Sequence, residues 1–176
     1  MKQNIVISIL GEHRADLISD ITQIILDCGG NILERRMSVV AGECTLLLMV
    51  SGGWHTSGKL EKSLQHYANE AGLLIRIRLA SKTTTELDRV PYLIDAVCLD
   101  QQGIVYQLTG FFIERDIEIA ELNTRSYAAA HTGAPMFAVQ IAIKIPAQAH
   151  ISTLREEFLE FCDSINLDAI MEPVKG

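Results

Sequence analysis

The stretch Asp100-Gln101-Gln102-Gly103-Ile104 sets an acid and a glycine directly before Ile104, Val105, Leu108, Phe111 and Phe112, which share the spacing of one helix face. Its plain reading is a helix start, with Asp100 as a capping residue and Gly103 tolerating the turn. It has a chemical reading too. A helix N-terminus carries unpaired backbone N–H groups and the positive end of the helix dipole, so it can hold a carboxylate. Gly103 has no Cβ and lets a small anion approach the backbone, while Asp100 can accept a hydrogen bond from an ammonium group. These residue types suit an amino-acid cradle as well as a helix start.

Other reactive side chains do not converge. The histidines (His13, His55, His66, His131, His150) are scattered without ligand spacing, and no G-x-S-x-G, H-E-x-x-H or Walker loop occurs. Glu156-Glu157 falls on a helical pattern and reads as a solvated face. Cys28, Cys44, Cys98 and Cys162 lie far apart in apolar segments, as buried free thiols do. The expectation is a protein that is not an enzyme and uses neither metal nor cofactor.

Composition narrows the partners. The 176 residues, 48% hydrophobic, can bury one good core or two small ones. A formal net charge of −7 without a Lys/Arg cluster argues against holding nucleic acid by phosphate neutralisation. No apolar run is long enough to cross a bilayer, and MKQNIVISIL enters a strand pattern with no secretory signal. The expected location is cytoplasmic, with no membrane partner.

The elements that position the turn occur twice. Leu17, Ile18, Ile21, Ile24 and Ile25 reappear as Ile104, Val105, Leu108, Phe111 and Phe112, each 87 residues on. Leu60, Leu64 and Leu73 reappear as Leu154, Phe158 and Leu167, each 94 on. The first copy reads strand Asn4–Leu10, helix Leu17–Cys28, strand Asn31–Val40, a tight turn at Ala41-Gly42-Glu43, strand Cys44–Ser51, helix Ser57–Ala71 and strand Leu73–Leu79. The second reads strand Tyr92–Cys98, a helix to Arg115, strands Ile117–Ser126 and Met136–Ile145, helix Ser152–Ile165 and strand Leu167–Glu172. The growth in offset implies about seven extra residues in the hairpin Tyr127–Pro135. The expected organisation is a domain over 1–80, a linker over 81–90 and a second domain over 91–176. The expected fold class is α+β, two ferredoxin-like βαββαβ units with antiparallel sheets. Each sheet has one face free of helices, and its moderate hydrophobicity implies pairing of the units or of two copies.

On these residues the chain resembles tandem ACT domains, small regulatory modules that bind amino acids and carry the turn G-x-D-R-P-G-[LIV]-[LIV]. The first unit keeps Gly11, Arg14 and the apolar pair Leu17-Ile18; the second keeps Asp100, Gly103 and the pair Ile104-Val105. The following G-x-N-I entry stands as Gly29-Gly30-Asn31-Ile32, against Glu118-Ile119 in the second unit. Cys28–Trp54 and Ile117–Tyr127 further resemble the glycine cleavage system transcriptional repressor family. That resemblance implies a homo-oligomeric repressor that answers to a small amino acid, glycine, and contacts a transcriptional activator protein. In paired ACT domains a turn faces a neighbouring strand start. The implied ligand-binding residues are therefore Asn31, Ile32, Asp100, Gln101, Gln102, Gly103 and Ile104. The reciprocal set places Asp16, at the position of Gly103, with Glu118. It puts acids where a ligand carboxylate would sit, so Asp16 suits self-capping of its helix. A module without a sensing role, or a regulatory subunit of an amino-acid-metabolising enzyme, stays open as an alternative.

Overall fold

The computed structural model describes residues 3–81 and 88–174. The elements run β1 (Gln3–Glu12), α1 (Leu17–Asp27), β2 (Asn31–Val40), β3 (Glu43–Gly52), α2 (Trp54–Ala71) and β4 (Leu74–Leu79). They then repeat as β5 (Arg89–Leu99), α3 (Ile104–Ile113), β6 (Glu118–Ala128), β7 (Pro135–Pro146), α4 (Ile151–Ser164) and β8 (Asp168–Pro173). The chain divides into two compact units, Met1–Thr84 and Thr85–Gly176. Each holds one antiparallel sheet, ordered β2-β3-β1-β4 in the first and β6-β7-β5-β8 in the second. The fold is thus two ferredoxin-like βαββαβ units, as the periodicity implies. Residues 82–87 of the expected linker lie outside the described residues, and Arg89 and Val90 already belong to β5.

Alternation along each strand and the helical stripe build each core. In unit one Ile5, Ile7 and Ile9 of β1 point to the side on which α1 contributes Leu17, Ile21 and Ile25 and α2 contributes Leu60, Leu64 and Ala68. In unit two, Ile94 and Ala96 of β5 meet Leu108 and Phe112 of α3 and Phe158 and Cys162 of α4. All four cysteines are buried free thiols. Burial, and then the Asp163 charge, push the Cys162 thiol up to about 12.

The duplication extends to single hydrogen bonds. Helix α1 ends with Gly30 N–H donating to Ile25 O and Gly29 N–H to Leu26 O, both at 2.9 Å. Helix α3 ends with Ile117 N–H donating to Phe112 O (3.0 Å) and Asp116 N–H to Ile113 O (3.1 Å). Gly29 (φ +75°) and Asp116 (φ +54°) hold the same left-handed position. A β-bulge at Leu33, between Ile32 and Glu34, recurs at Ala120, between Ile119 and Glu121.

Strand register corrects the size of the insertion. Ile32 opposes Val50 and Ile119 opposes Ile143, so the offset is 87 on the first strand of the hairpin and 93 on the second. Six residues, not seven, are added within the hairpin. The seventh lies after β7, where the chain takes a longer path into α4. The first hairpin closes through Ala41 (φ +51°) and Gly42 (φ +85°), the two-residue turn that suits strand twist. The second closes through a loop over 129–134, held by Ala129 N–H to Ala134 O at 2.9 Å and Gly133 N–H to Ala129 O at 2.8 Å.

Candidate functional site

Both strand-to-helix turns hang from the adjacent hairpin by one backbone bond. His13 N–H donates to Gly42 O at 2.8 Å in unit one, and Asp100 N–H to Pro135 O at 2.9 Å in unit two. Each turn is also tied to the second helix region of its unit, with different chemistry. In unit one an Arg14 guanidinium N–H donates to the Tyr67 hydroxyl at 2.8 Å, and that hydroxyl donates to Asp20 Oδ2 at 2.8 Å. Arg14 Nε lies 3.6 Å from Asp16 Oδ1. Burial first, then the bond to Asp20, raise the Tyr67 hydroxyl to about 12. In unit two the Gln101 side-chain amide donates to Ile165 O at 3.1 Å, just past the end of α4. Gly11, the first glycine of the resemblance, has a packing reason: a Cβ there would collide with the Leu73 side chain.

The entries into α1 and α3 differ in backbone and in charge. Gly103 caps α3 in the left-handed region (φ +88°), a conformation that costs glycine nothing. The nearest heavy atom to a Cβ built on it is Gln107 Nε2, at 3.5 Å. No side chain caps α3, and its first turn contains no acid. Asp16 caps α1 with right-handed backbone (φ −84°), and Asp20 adds a second carboxylate in that first turn. A ligand carboxylate would therefore meet N–H groups and the dipole at Gly103, and two carboxylates at Asp16.

Two capping expectations are corrected. Asp100 does not cap α3, because the chain enters the helix through Gly103, three residues later. Asp16 does occupy the cap position of α1, yet its side chain makes no capping hydrogen bond. That bond needs extended backbone at the cap, whereas Asp16 is in the α region and its carboxylate turns to Arg14.

The residues from Asp100 to Ile104 fall together in one turn of unit two. Asp100, Gln101, Gln102 and Gly103 are exposed there, and Ile104 is buried as the first core residue of α3. Asn31 and Ile32 open β2 of unit one, Asn31 exposed and Ile32 packed on that core just before the bulge. Glu118, the counterpart of Asn31, sits 3.4 Å from Lys144 Nζ. Among the described residues, no group of three or more His, Cys, Asp or Glu side chains could hold a metal ion. Sequence reading missed the Arg14–Tyr67–Asp20 network, because Tyr67 falls at helical spacing from Leu60 and Leu64 and shares their apolar stripe. It also missed a shallow depression of about 640 Å³ on the helix-free sheet face of unit two, lined in part by Asp95, Arg125, Gln140 and Asp168. The outward positions of the alternating strands were the signal for it.

Duplicated βαββαβ units, each entered by such a turn, form an architecture similar to that of tandem ACT domains. Residues 3–78 match the ACT domain family, and the second unit repeats that architecture. Within that class the likeness runs to the glycine cleavage system transcriptional repressors. The chain is 28% identical over 166 residues to those of Escherichia coli (strain K12) and Shigella flexneri, covering 92% of this chain and 85% of each relative. Among solved structures, a protein of unknown function from Galdieria sulphuraria superposes with a TM-score of 0.82 at 22% identity, covering 99% of this chain and 100% of the other. A protein assigned provisionally as a glycine cleavage system transcriptional repressor superposes with a TM-score of 0.72 at 20% identity, covering 100% of this chain and 99% of the other. Among the described residues no helix is long and apolar enough to cross a membrane.

Proposed function

We propose that the protein is an amino-acid-responsive regulator, not an enzyme, that represses expression of a glycine cleavage operon through contact with a transcription factor and without binding DNA itself. The repressors it resembles supply the regulatory reading. The observation that carries the sensing step is the contrast between the two helix entries. Gly103 leads into an uncapped, acid-free α3, whereas Asp16 and Asp20 crowd the start of α1. A small zwitterion is then held by its carboxylate at the Gly103 turn, with Asp100 accepting from its ammonium group. Gln101, Gln102 and Ile104 complete that turn, and Asn31 and Ile32 are the strand-start residues that the resemblance to ACT domains adds to the ligand set. Glycine is the ligand to which the relatives' name, glycine cleavage system transcriptional repressor, points. A net charge of −7 supports a protein partner over direct contact with DNA.

Calorimetric titration with a panel of amino acids tests this. Wild type should bind a small amino acid, Asn31→Ala should weaken it, and Asp16→Ala should leave it intact or open a second site. A wild-type chain that binds none of the panel refutes sensing. Loss of binding in Asp16→Ala alone moves the site to the other turn. A salt-sensitive affinity for promoter DNA in the absence of any partner would refute the indirect route.

A further inference from the structure

Each sheet packs one face on its helices and turns the other away, and strand register shows which side chains lie on that outer face. In unit one, Leu10 of β1, Leu47 of β3 and Leu74 of β4 point outward, exposed by 39%, 46% and 70%. Arg76 and Arg78 follow Leu74 on the same face of β4, opposite Ser8 and Val6 of β1. Strand β4, LIRIRL, contains no acid. In unit two, Leu99 of β5 and Ile170 of β8 are outward and 62% and 55% exposed. Asp168 and Glu172 flank Ile170 on β8, and Asp95 of β5 lies directly opposite Ile170. Strand β8, DAIMEP, contains no base.

The two halves of the duplicated fold carry opposite charge on equivalent strands, β4 and β8. Arg78 and Glu172 are equivalents 94 residues apart, whereas Arg76 matches Ile170 and Leu74 matches Asp168. Toward the other edge of each sheet lie ion pairs that neutralise themselves: Arg36 with Glu34 on β2, and Lys144 of β7 with Glu118 of β6. Strand β4 thus sets an exposed leucine beside two arginines and strand β8 an exposed isoleucine between two acids, while Glu12 of β1 and Arg125 of β6 are outward charges of the other sign. An exposed apolar patch of this kind marks an interaction surface.

We infer that the outer sheet face of unit one docks on the outer sheet face of unit two of a second copy, and the reverse, in a closed two-fold pair. Complementarity chooses the occupant. Placing unit-one faces together would oppose Arg76 and Arg78 to themselves, and placing unit-two faces together would oppose Asp168 and Glu172. The mixed contact sets Arg against carboxylate over a leucine and isoleucine centre. Two identical mixed contacts satisfy a two-fold axis and leave neither face open.

Sedimentation equilibrium of the full chain and of two charge-reversed forms tests this. Wild type should be a dimer that higher salt weakens. Arg76→Glu/Arg78→Glu and Asp168→Arg/Glu172→Arg should each dissociate about a hundredfold more readily. All four positions are exposed, so the circular dichroism spectra should match wild type. An equimolar mixture of the two variants should restore the dimer, because both contacts in the mixed pair are again opposite in charge. A wild-type monomer at every concentration, or dimers that survive both reversals, would overturn the inference. So would a mixture that stays monomeric, the result expected if the faces met within one chain.

Discussion

Gln107 allows the difference between the two helix entries to be tested without disturbing Gly103. It is exposed in the first turn of α3, the counterpart of Asp20 in α1, and its side-chain nitrogen lies 3.5 Å from where a Gly103 Cβ would stand. Gln107→Glu brings a carboxylate to that spot, with effects of opposite sign on fold and ligand. On the fold, an acid in the first turn of a helix that has none stabilises it by about 0.3–1 kcal/mol. On the ligand, an anion resting on the Gly103 backbone meets like charge at about 4 Å, worth on the order of 4 kcal/mol at an effective dielectric near 20. The exposure of Gln107 reduces that to about 1 kcal/mol, or about fivefold in affinity. Scanning calorimetry should show unit two melting a few degrees higher. Titration with glycine should show a dissociation constant raised by about fivefold or more. Unchanged or tighter binding alongside the higher melting temperature would refute the placement of the ligand carboxylate at this turn.

Tyr67→Phe removes the acceptor for Arg14 and the donor to Asp20 and should cost unit one about 1–2 kcal/mol in urea denaturation. Because the folded state raises the hydroxyl from 10.0 to about 12, its contribution is intact below pH 10 and is lost as pH rises toward 12. The wild-type advantage over Tyr67→Phe should therefore shrink over that range, and an advantage that grows there would contradict the assignment. Phe112→Ala empties a fully buried site whose ring centroid lies 5.4 Å from that of Phe111 and 5.3 Å from that of Phe158. It should cost unit two about 3–5 kcal/mol by denaturant titration, and a loss below about 1 kcal/mol would show that the site collapses or is wrongly placed. Gly30→Ala puts a methyl 2.8 Å from Val50 Cγ1 and 2.9 Å from Ile25 Cγ2. The strain should cost about 1–3 kcal/mol in the same assay, and a neutral result would mean that the start of β2 shifts.

Periodicity made much of this fold legible. Leu17 through Ile25 and Ile104 through Phe112 announce two helices on one offset, and β2 runs over the expected residues Asn31–Val40. Where a pattern ended without an apolar marker, the boundary was missed. Helix α2 starts at Trp54, three residues before the expected Ser57, since Trp54, His55 and Ser57 face outward and show no stripe. What holds that start is buried Thr56, whose hydroxyl accepts from Gly53 N–H at 3.1 Å. The cap positions were illegible for a related reason. Asp16 and Asp100 are both good capping types, but backbone dihedrals decide whether a side chain reaches the N–H groups. Gly103 declared its turn because a left-handed cap before an apolar run is a glycine's position. The charge difference between the β4 and β8 faces was spelled out in LIRIRL and DAIMEP. It became visible only when strand register assigned alternate residues to the outer face.

The central claim is that a small amino acid is held at the Gly103 turn and not at the Asp16 turn. Backbone amide chemical shifts, followed by two-dimensional NMR as glycine is titrated into the full chain, test it most directly. The expected result is saturable movement of the Gly103, Ile104 and Val105 amides while those of Asp16, Leu17 and Ile18 stay in place. Movement of the Asp16–Ile18 amides with Gly103–Val105 unmoved would contradict it.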